Sequence, residues 1–256
     1  MKTILVDRAD GVVTVTLNRP EKKNAADAVM WAELLDVFED VSRRAGDRVL
    51  VVTGAGGAFC SGADLSDVTR GEGHALGRMR RIANVALALH RVPKPTLAKV
   101  RGVAVGAGAN LALGCDLVIA SEDARFCQIF ARRGLTVDFG GSWLLPRLVG
   151  LRRAKELALL GDMVPAREAA EMGLVNRVVP AEDLDALADD WARRLADGPP
   201  LALSMTKSLL DHSFAVSMDQ ALEDEARTQS VNMATADTAE ALRAFAERRE
   251  PRFEGR

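Results

Sequence analysis

The sequence predicts an α/β core followed by a helical C-terminal region. Segments of alternating apolar residues are interleaved with segments of helical period through most of the chain, and everything after about residue 197 is helical in pattern. This division puts a core over 1–197 and a helical region over 198–256.

The elements follow in order. TILVDRADGVVTVTLNRP reads as a β-hairpin, because Val13, Val15 and Leu17 alternate with other residues and RADG supplies the turn. DAVMWAELLDVFEDVSRRAG reads as a helix with Asp27 as its N-cap and Met30, Leu34, Val37, Phe38 and Val41 at helical spacing. RVLVVTG is a buried strand by length and valine content, and it runs into the glycine-rich GAGGAFCSGADL. A helix is expected over Ala75 to His90. TLAKVRGVAVGAGANLALGCDLVIAS then gives strand, glycine-rich turn, short helix and strand. FGGSWLLPRLVGLRRAKELALLG opens the last helical region of the core, and LALSMTKSLLDH, SMDQALEDEARTQSVNM and TAEALRAFAERRE complete the chain as helices.

Composition narrows the class. Of 256 residues, 48% are hydrophobic and 27% charged, with a formal net charge of −2, as in a soluble globular protein with one sizeable core. Binding nucleic acid requires clustered basic charge, and here the Arg pairs at 80–81, 132–133 and 152–153 are interspersed with acids, so no nucleic-acid partner is expected. Cys60, Cys115 and Cys127 sit among small and apolar neighbours, which suits buried reduced thiols and a cytoplasmic location, and no Cys–His spacing marks a metal site. The N-terminus lacks an uninterrupted apolar run, so neither a signal peptide nor a membrane span is expected.

Two glycine-rich loops follow strands. The dinucleotide fingerprint fails because the sixth position from Gly54 is Phe59, and no Gly-Lys-Ser/Thr of a P-loop occurs. Loops at 61–65 and 102–108 could each give one backbone N–H to an oxyanion, since glycine lets a substrate approach the main chain, though two tight turns would have the same composition. A third stretch, GLTVDFGGSWLLP at 134–146, places Asp138 between Val137 and Phe139. That acid either caps the helix that follows or does chemistry in a pocket.

Four motifs together, NRPEKKNA at 18–25, GAFCSGADL at 57–65, KVRGVAVGAGANLALGCDLVIAS at 99–121 and GLVNRVVP at 173–180, resemble the crotonase superfamily, the enoyl-CoA hydratase/isomerase family, in order and spacing. The resemblance spans nearly the whole chain. It implies a crotonase-like spiral of ββα units over 1–197 carrying an acyl-CoA site, and a trimerisation region over 198–256 that gives a homotrimer or homohexamer. It also implies an acyl-CoA thioester as substrate, with coenzyme A part of that substrate and no separate cofactor. By position, the N–H groups of Ala63 in SGAD and Ala107 in GAGAN would form the oxyanion hole, Ala107 standing where the family commonly has glycine. Lys22, Lys23, Asn24 and Ala25, with Asp64 and Leu65, match the segments that hold the adenine and pantetheine. For the two lysines, solvated turn charge is the other reading, and Asp64 and Asp67 also read as structural or solvated acids.

The resemblance also bears on the reaction. Family hydratases use two glutamates, and these match Asn110 and Phe130 here. An amide is no general base and a phenyl ring moves no proton, so hydration by that route is disfavoured. Asp138 falls where the ring-1,2-epoxyphenylacetyl-CoA isomerase and dienoyl-CoA isomerase branches place an acid, and PRLVG after it resembles the first branch. The expectation is a Δ3-to-Δ2 enoyl-CoA isomerase in which Asp138 shuttles one proton and Val137, Phe139 and Phe130 exclude water. Desolvation would raise the Asp138 pKa and the nearby helix N-terminus would lower it. Asn110 would donate a hydrogen bond or hold a water, or else be a satisfied core amide. The alternatives are an enoyl-CoA hydratase working through Asp138 or an Asn110-held water, and a non-catalytic acyl-CoA-binding subunit. His74 reads as a surface histidine, His90 and His212 as helix ends, Trp143 as core, and Arg248 and Arg249 as solvated charge or a reach to a neighbouring subunit's CoA phosphate.

Overall fold

The computed structural model describes residues 3–64, 66 and 74–256. The expected hairpin is formed by β1 (Ile4–Ala9) and β2 (Val12–Leu17). Its two-residue turn, Asp10-Gly11, has φ of 51° and 79°, the positive values that match hairpin twist. β2 continues in parallel to β3 (Val49–Gly54), which pairs with β4 (Thr96–Val100), then β6 (Leu117–Ser121), then β9 (Arg177–Val179). The result is one six-stranded sheet in the order β1-β2-β3-β4-β6-β9, parallel except at the hairpin.

Parallel neighbours need crossovers, and these carry helices. α1 (Ala28–Arg43) links β2 to β3, and α2 (Ala75–His90) lies between β3 and β4. Asp27 caps α1 as expected, its Oδ1 accepting from the Met30 N–H at 2.9 Å. At the other end the Lys94 ammonium donates to the carbonyls of Val41, Ser42 and Arg44, satisfying groups that a helix C-terminus leaves unpaired. The apolar stripe of α1, from Met30 to Val41, is buried against the sheet face that carries Leu50, Val52 and Ala98. The opposite face, with Val49, Val51, Leu97 and Ile119, is covered by α6 (Leu184–Ala196) through Leu184, Ala188, Ala192 and Ala196. Burial on both faces explains why β3 reads as an unbroken run of valine and leucine.

A second sheet of three short strands, β5 (Val103–Val105), β7 (Arg125–Cys127) and β8 (Met163–Pro165), stands beside the first. Between its strands come α3 (Ala107–Leu113), a 3-10 turn (Ile129–Arg133) and α4 (Gly141–Leu160). The sequence pattern suggests one continuous helical region for α4. It is two helical segments meeting at Gly150, whose φ of 74° and ψ of 160° break the ladder. α5 (Ala166–Met172) precedes β9.

The C-terminal helices α7 (Pro200–His212), α8 (Met218–Met233) and α9 (Ala236–Glu247) appear where the sequence pattern put them. α7 and α8 bury no residue, and Leu210, Phe214, Met218, Leu222 and Phe245 are exposed. The three cysteines are free and buried. No helix of the described residues is long and apolar enough to cross a membrane.

The two kinds of support for α1 differ in size. Leu34 is fully buried, so Leu34→Ala should cost about 2–5 kcal/mol in urea unfolding. Asp27→Ala should cost about 1 kcal/mol through the lost cap. Equal losses would contradict a helix held chiefly by its packed face.

Candidate active site

The loop leaving β3 is tied to β5. Cys60 N–H donates to the Val103 carbonyl at 3.0 Å, and Val105 N–H returns to the Cys60 carbonyl at 2.9 Å. The loop is also laced to the chain before α1, where Ala26 N–H donates to the Gly62 carbonyl and Asp64 N–H donates to the Ala26 carbonyl, each at 2.8 Å. That short ladder uses the residues on either side of Ala63 and leaves the Ala63 N–H outside it. Ala107 is the first residue of α3, where N–H groups have no intrahelical acceptor. The two loops touch: a β-carbon on Gly62 would lie 2.9 Å from the Val105 carbonyl oxygen and 4.0 Å from the Ala107 nitrogen. Gly62 (φ 100°) and Gly106 (φ 57°) have backbone angles that L side chains rarely adopt, so glycine is required on both sides of the pair. The structure therefore places the loop that carries Ala63 against the start of the helix that begins at Ala107.

Phe130 is buried in the 3-10 turn, its ring carbon 3.6 Å from where a β-carbon of Gly106 would sit. It is an apolar wall directly behind the start of α3, in a place where a proton-moving side chain is absent.

Asp138 does not cap α4. The N-cap is Gly140, in a left-handed conformation and with no side-chain capping bond. The Asp138 carboxyl is half-buried, and its Oδ1 is sealed from solvent with no hydrogen-bond partner among the described residues. Burial raises its pKa, to about 6. The main chain of Asp138 is held firmly, however. Its carbonyl oxygen accepts from the Gly141 N–H at 2.9 Å and from Asn110 Nδ2 at 2.8 Å. The next residue, Phe139, has φ of 48°, a left-handed angle that costs an aromatic residue about 1–2 kcal/mol. It is buried and its ring pairs with Trp31 of α1 at 5.3 Å between centroids.

Asn110 is fully buried on α3, one turn after Ala107. Its amide is engaged at both ends, accepting from Gln128 Nε2 at 2.8 Å and donating to Asp138. It therefore links α3 to the acid-bearing loop. Trp31 and Gln128 were missed by the sequence reading. Trp31 lies within the apolar face of α1 and Gln128 within an apolar run, so nothing local marked either one.

Several of the remaining expected residues fall in the segments 19–27 and 61–66. Asp64 is buried and accepts from Arg19 at 3.0 Å, Lys22 at 2.9 Å and the Ser66 N–H and hydroxyl. These donors, Ser66 foremost, hold its carboxyl well below the usual carboxylate range. Arg19 also donates to the Ala25 carbonyl and pairs with Asp27, so Asp64 ties residues 19–27 to the 61–66 loop. Asn24 is a brace in the same place, receiving the Arg19 N–H and donating to the carbonyls of Ala55 and Ala58. Ala25 is buried, while Lys23 is exposed at a left-handed turn. Leu65 and Asp67 lie outside the described residues. His74 is exposed and caps α2, its Nδ1 accepting from the Leu76 N–H. His90 and His212 end α2 and α7 as expected.

Trp143, expected in the core, is 40% exposed. It sits on the outer side of α4, with the Arg147 guanidinium 3.9 Å above its ring and His90 edge-on at 5.3 Å. Arg249 is bonded to Glu240 and Glu247, and Arg248 caps α9. A cleft of about 1370 Å³ near the C-terminus, lined by Arg48, Glu240, Arg249 and Glu254 among others, includes none of the residues around Asp138. Among the described residues, no group of three or more His, Cys, Asp or Glu is placed to hold a metal ion.

The family model for enoyl-CoA hydratase/isomerase matches residues 7–256. The chain belongs to the enoyl-CoA hydratase/isomerase family. It is 40% identical, over the full length of both chains, to 1,2-epoxyphenylacetyl-CoA isomerase of Escherichia coli (strain K12). It is 34% identical, again over the full length of both, to 2,3-dehydroadipyl-CoA hydratase of the same organism. A crystal structure of enoyl-CoA hydratase from Bacillus anthracis superposes with a TM-score of 0.94 at 33% identity, covering 99% of this chain and 100% of that one. Membership bears out the mixed α/β fold and makes the chain an acyl-CoA enzyme of this family, while the relatives' names divide between isomerase and hydratase.

An unpartnered acid in this position costs stability once ionised. With a folded pKa of about 6 against 3.8 unfolded, the native state holds the proton more tightly. Stability is therefore lost as pH rises from about 4 to 6, by at most about 1.4 kcal/mol per unit. Asp138→Asn should be more stable than wild type at pH 7. The gap should shrink as pH falls towards 5 in thermal melts, whereas a pH-independent gap would mean the carboxyl is solvated or partnered.

Proposed function

We propose that the protein is an enoyl-CoA isomerase that shifts a Δ3 double bond to Δ2, with Asp138 as its proton shuttle. The observation that carries this reading is the Asp138 carboxyl itself, free of any structural partner among the described residues and raised to a pKa of about 6. The paired loops supply the complementary half. With the thioester carbonyl between the Ala63 and Ala107 N–H groups, negative charge on that oxygen is stabilised by donors fixed in advance. Asp138 removes a proton from C2, and the resulting dienolate spreads its charge to C4. The same carboxyl, now protonated, returns the proton to C4. The C3–C4 double bond becomes C2–C3, no water enters, and the carboxylate is regenerated. A pKa near 6 suits both halves of that cycle at neutral pH.

Hydration of a 2-enoyl thioester is the second reading, favoured by the hydratase names among the relatives. Against it stand Asn110 and Phe130, neither of which can move a proton to or from water. The Asp64 anchor and exposed Lys23 support coenzyme A passing along residues 22–25. Exposed apolar side chains on α7 to α9 support assembly into a homotrimer or homohexamer.

Turnover on 3-enoyl-CoA and 2-enoyl-CoA, followed by mass spectrometry, tests the reading. Wild type should conjugate the 3-enoyl substrate without gaining the mass of one water, and Asp138→Asn should lose at least about 10²-fold in kcat. Activity should rise with pH through a limb near 6. Hydration of the 2-enoyl substrate that survives in Asp138→Asn would overturn it.

A further inference from the structure

Gln128 is buried, at 4% exposure, and the chemistry above makes no use of it. Its surroundings fix what it must do. The Asp138 carbonyl can only accept, so the Asn110 amide must turn its Nδ2 toward it, as observed at 2.8 Å. That leaves Asn110 Oδ1 facing the other way, in the protein interior, where it needs a donor. Gln128 Nε2 provides it at 2.8 Å. The polarity of the chain Gln128–Asn110–Asp138 is set from its far end, and position 128 has to donate. Little room exists for Asn110 to move aside, because a β-carbon on Gly141 would lie 2.4 Å from its Nδ2. Gln128 Oε1 is buried with no partner among the described residues, so Nε2 makes the side chain's hydrogen bond. The titratable and charged groups on the turn and the strand before it are Arg125, Cys127, Arg132 and Arg133, with Asp162 paired to Arg132 and Asp138 beyond Asn110.

We infer that Gln128 is a positioning residue for the reaction: by donating to Asn110 it sets the direction of an amide relay that holds the Asp138 loop against the oxyanion helix. The inference rests on Asp138 being the proton shuttle. It explains a glutamine where a glutamate of the same shape would fit, since an ionised glutamate could only accept. Asn110 would then turn its amide, and two oxygens would face each other at the Asp138 carbonyl.

Gln128→Glu turns this into a pH experiment. In that variant the protonated carboxyl can still donate its O–H to Asn110, and the ionised one cannot. In 3-enoyl-CoA conjugation, kcat should follow wild type at low pH and then fall about tenfold or more through an alkaline limb that wild type lacks. The Asn110 side-chain NH₂ should lose its protection from hydrogen exchange over the same limb. Gln128→Met keeps the volume without the donor and should lower kcat about tenfold at every pH, with no new limb. It also carries the test if the Gln128→Glu variant does not fold. Wild-type kcat, wild-type pH profile and a protected Asn110 amide in the folded variants would overturn the inference. Asp138→Asn, assayed in parallel, separates the two claims. If it is inactive while the Gln128 variants behave as wild type, only the relay is wrong. If it stays active, the shuttle reading fails and takes the relay with it.

Discussion

The carbonyl oxygen of Asp138 accepts two hydrogen bonds, one from the Asn110 amide and one from the Gly141 N–H, and the site's geometry depends on that double anchor. Through Asn110 it fixes the acid-bearing loop to α3, the short helix whose first residue, Ala107, is the donor proposed for the thioester oxygen. Through Gly141 it fixes the loop to the start of α4. The carboxyl is thereby placed without a hydrogen-bond donor of its own among the described residues. A side chain positioned by its own hydrogen bonds would have had its charge stabilised by them, and its pKa would have fallen. Asp64, in the loop after β3, shows that alternative: Ser66, Lys22 and Arg19 bond it and hold its carboxyl low.

Strain and desolvation are concentrated at the same point. Phe139 adopts a left-handed angle unfavourable for an aromatic residue, and the Trp31 ring and the surrounding core keep it there. Oδ1 of the adjacent carboxyl loses hydration with no compensating partner among the described residues. Both are costs to folding, and the doubly covered parallel sheet, packed on one face by α1 and on the other by α6, is what the fold sets against them. Gly62 and Gly106 complete the pattern, since the backbone angles at both are ones that side chains disfavour.

Much of this was legible in the sequence. The hairpin turn, the Asp27 cap, the helix over Ala75–His90 and the three C-terminal helices follow from local rules of spacing and capping, and the structure keeps them. The glycine-rich loops alone read equally as tight turns, and only the resemblance to the family singled out Ala63 and Ala107 within them. Asp138 was visible as an acid out of place, but its role was not, since capping a helix and lining a pocket leave the same sequence trace. What decided against the cap was Gly140 taking that position. The relay was not legible at all. Gln128 and Asn110 are eighteen residues apart and meet only because β5 and β7 pair. Trp143 was misplaced because a tryptophan in an apolar stretch looks like core, and only the packing of α4 puts its ring outside under Arg147.

The proposed chemistry depends most on the ionisation of one carboxyl. A ¹³C NMR titration of the Asp138 side chain in the wild-type protein, assigned with Asp138→Asn, measures it directly. The structure predicts a midpoint near 6 with no sharp dependence on salt, because burial rather than a charged partner sets it. A midpoint near the ordinary aspartate value of 3.8 would mean that the group is solvated or bonded, and that this acid is not held ready to move a proton.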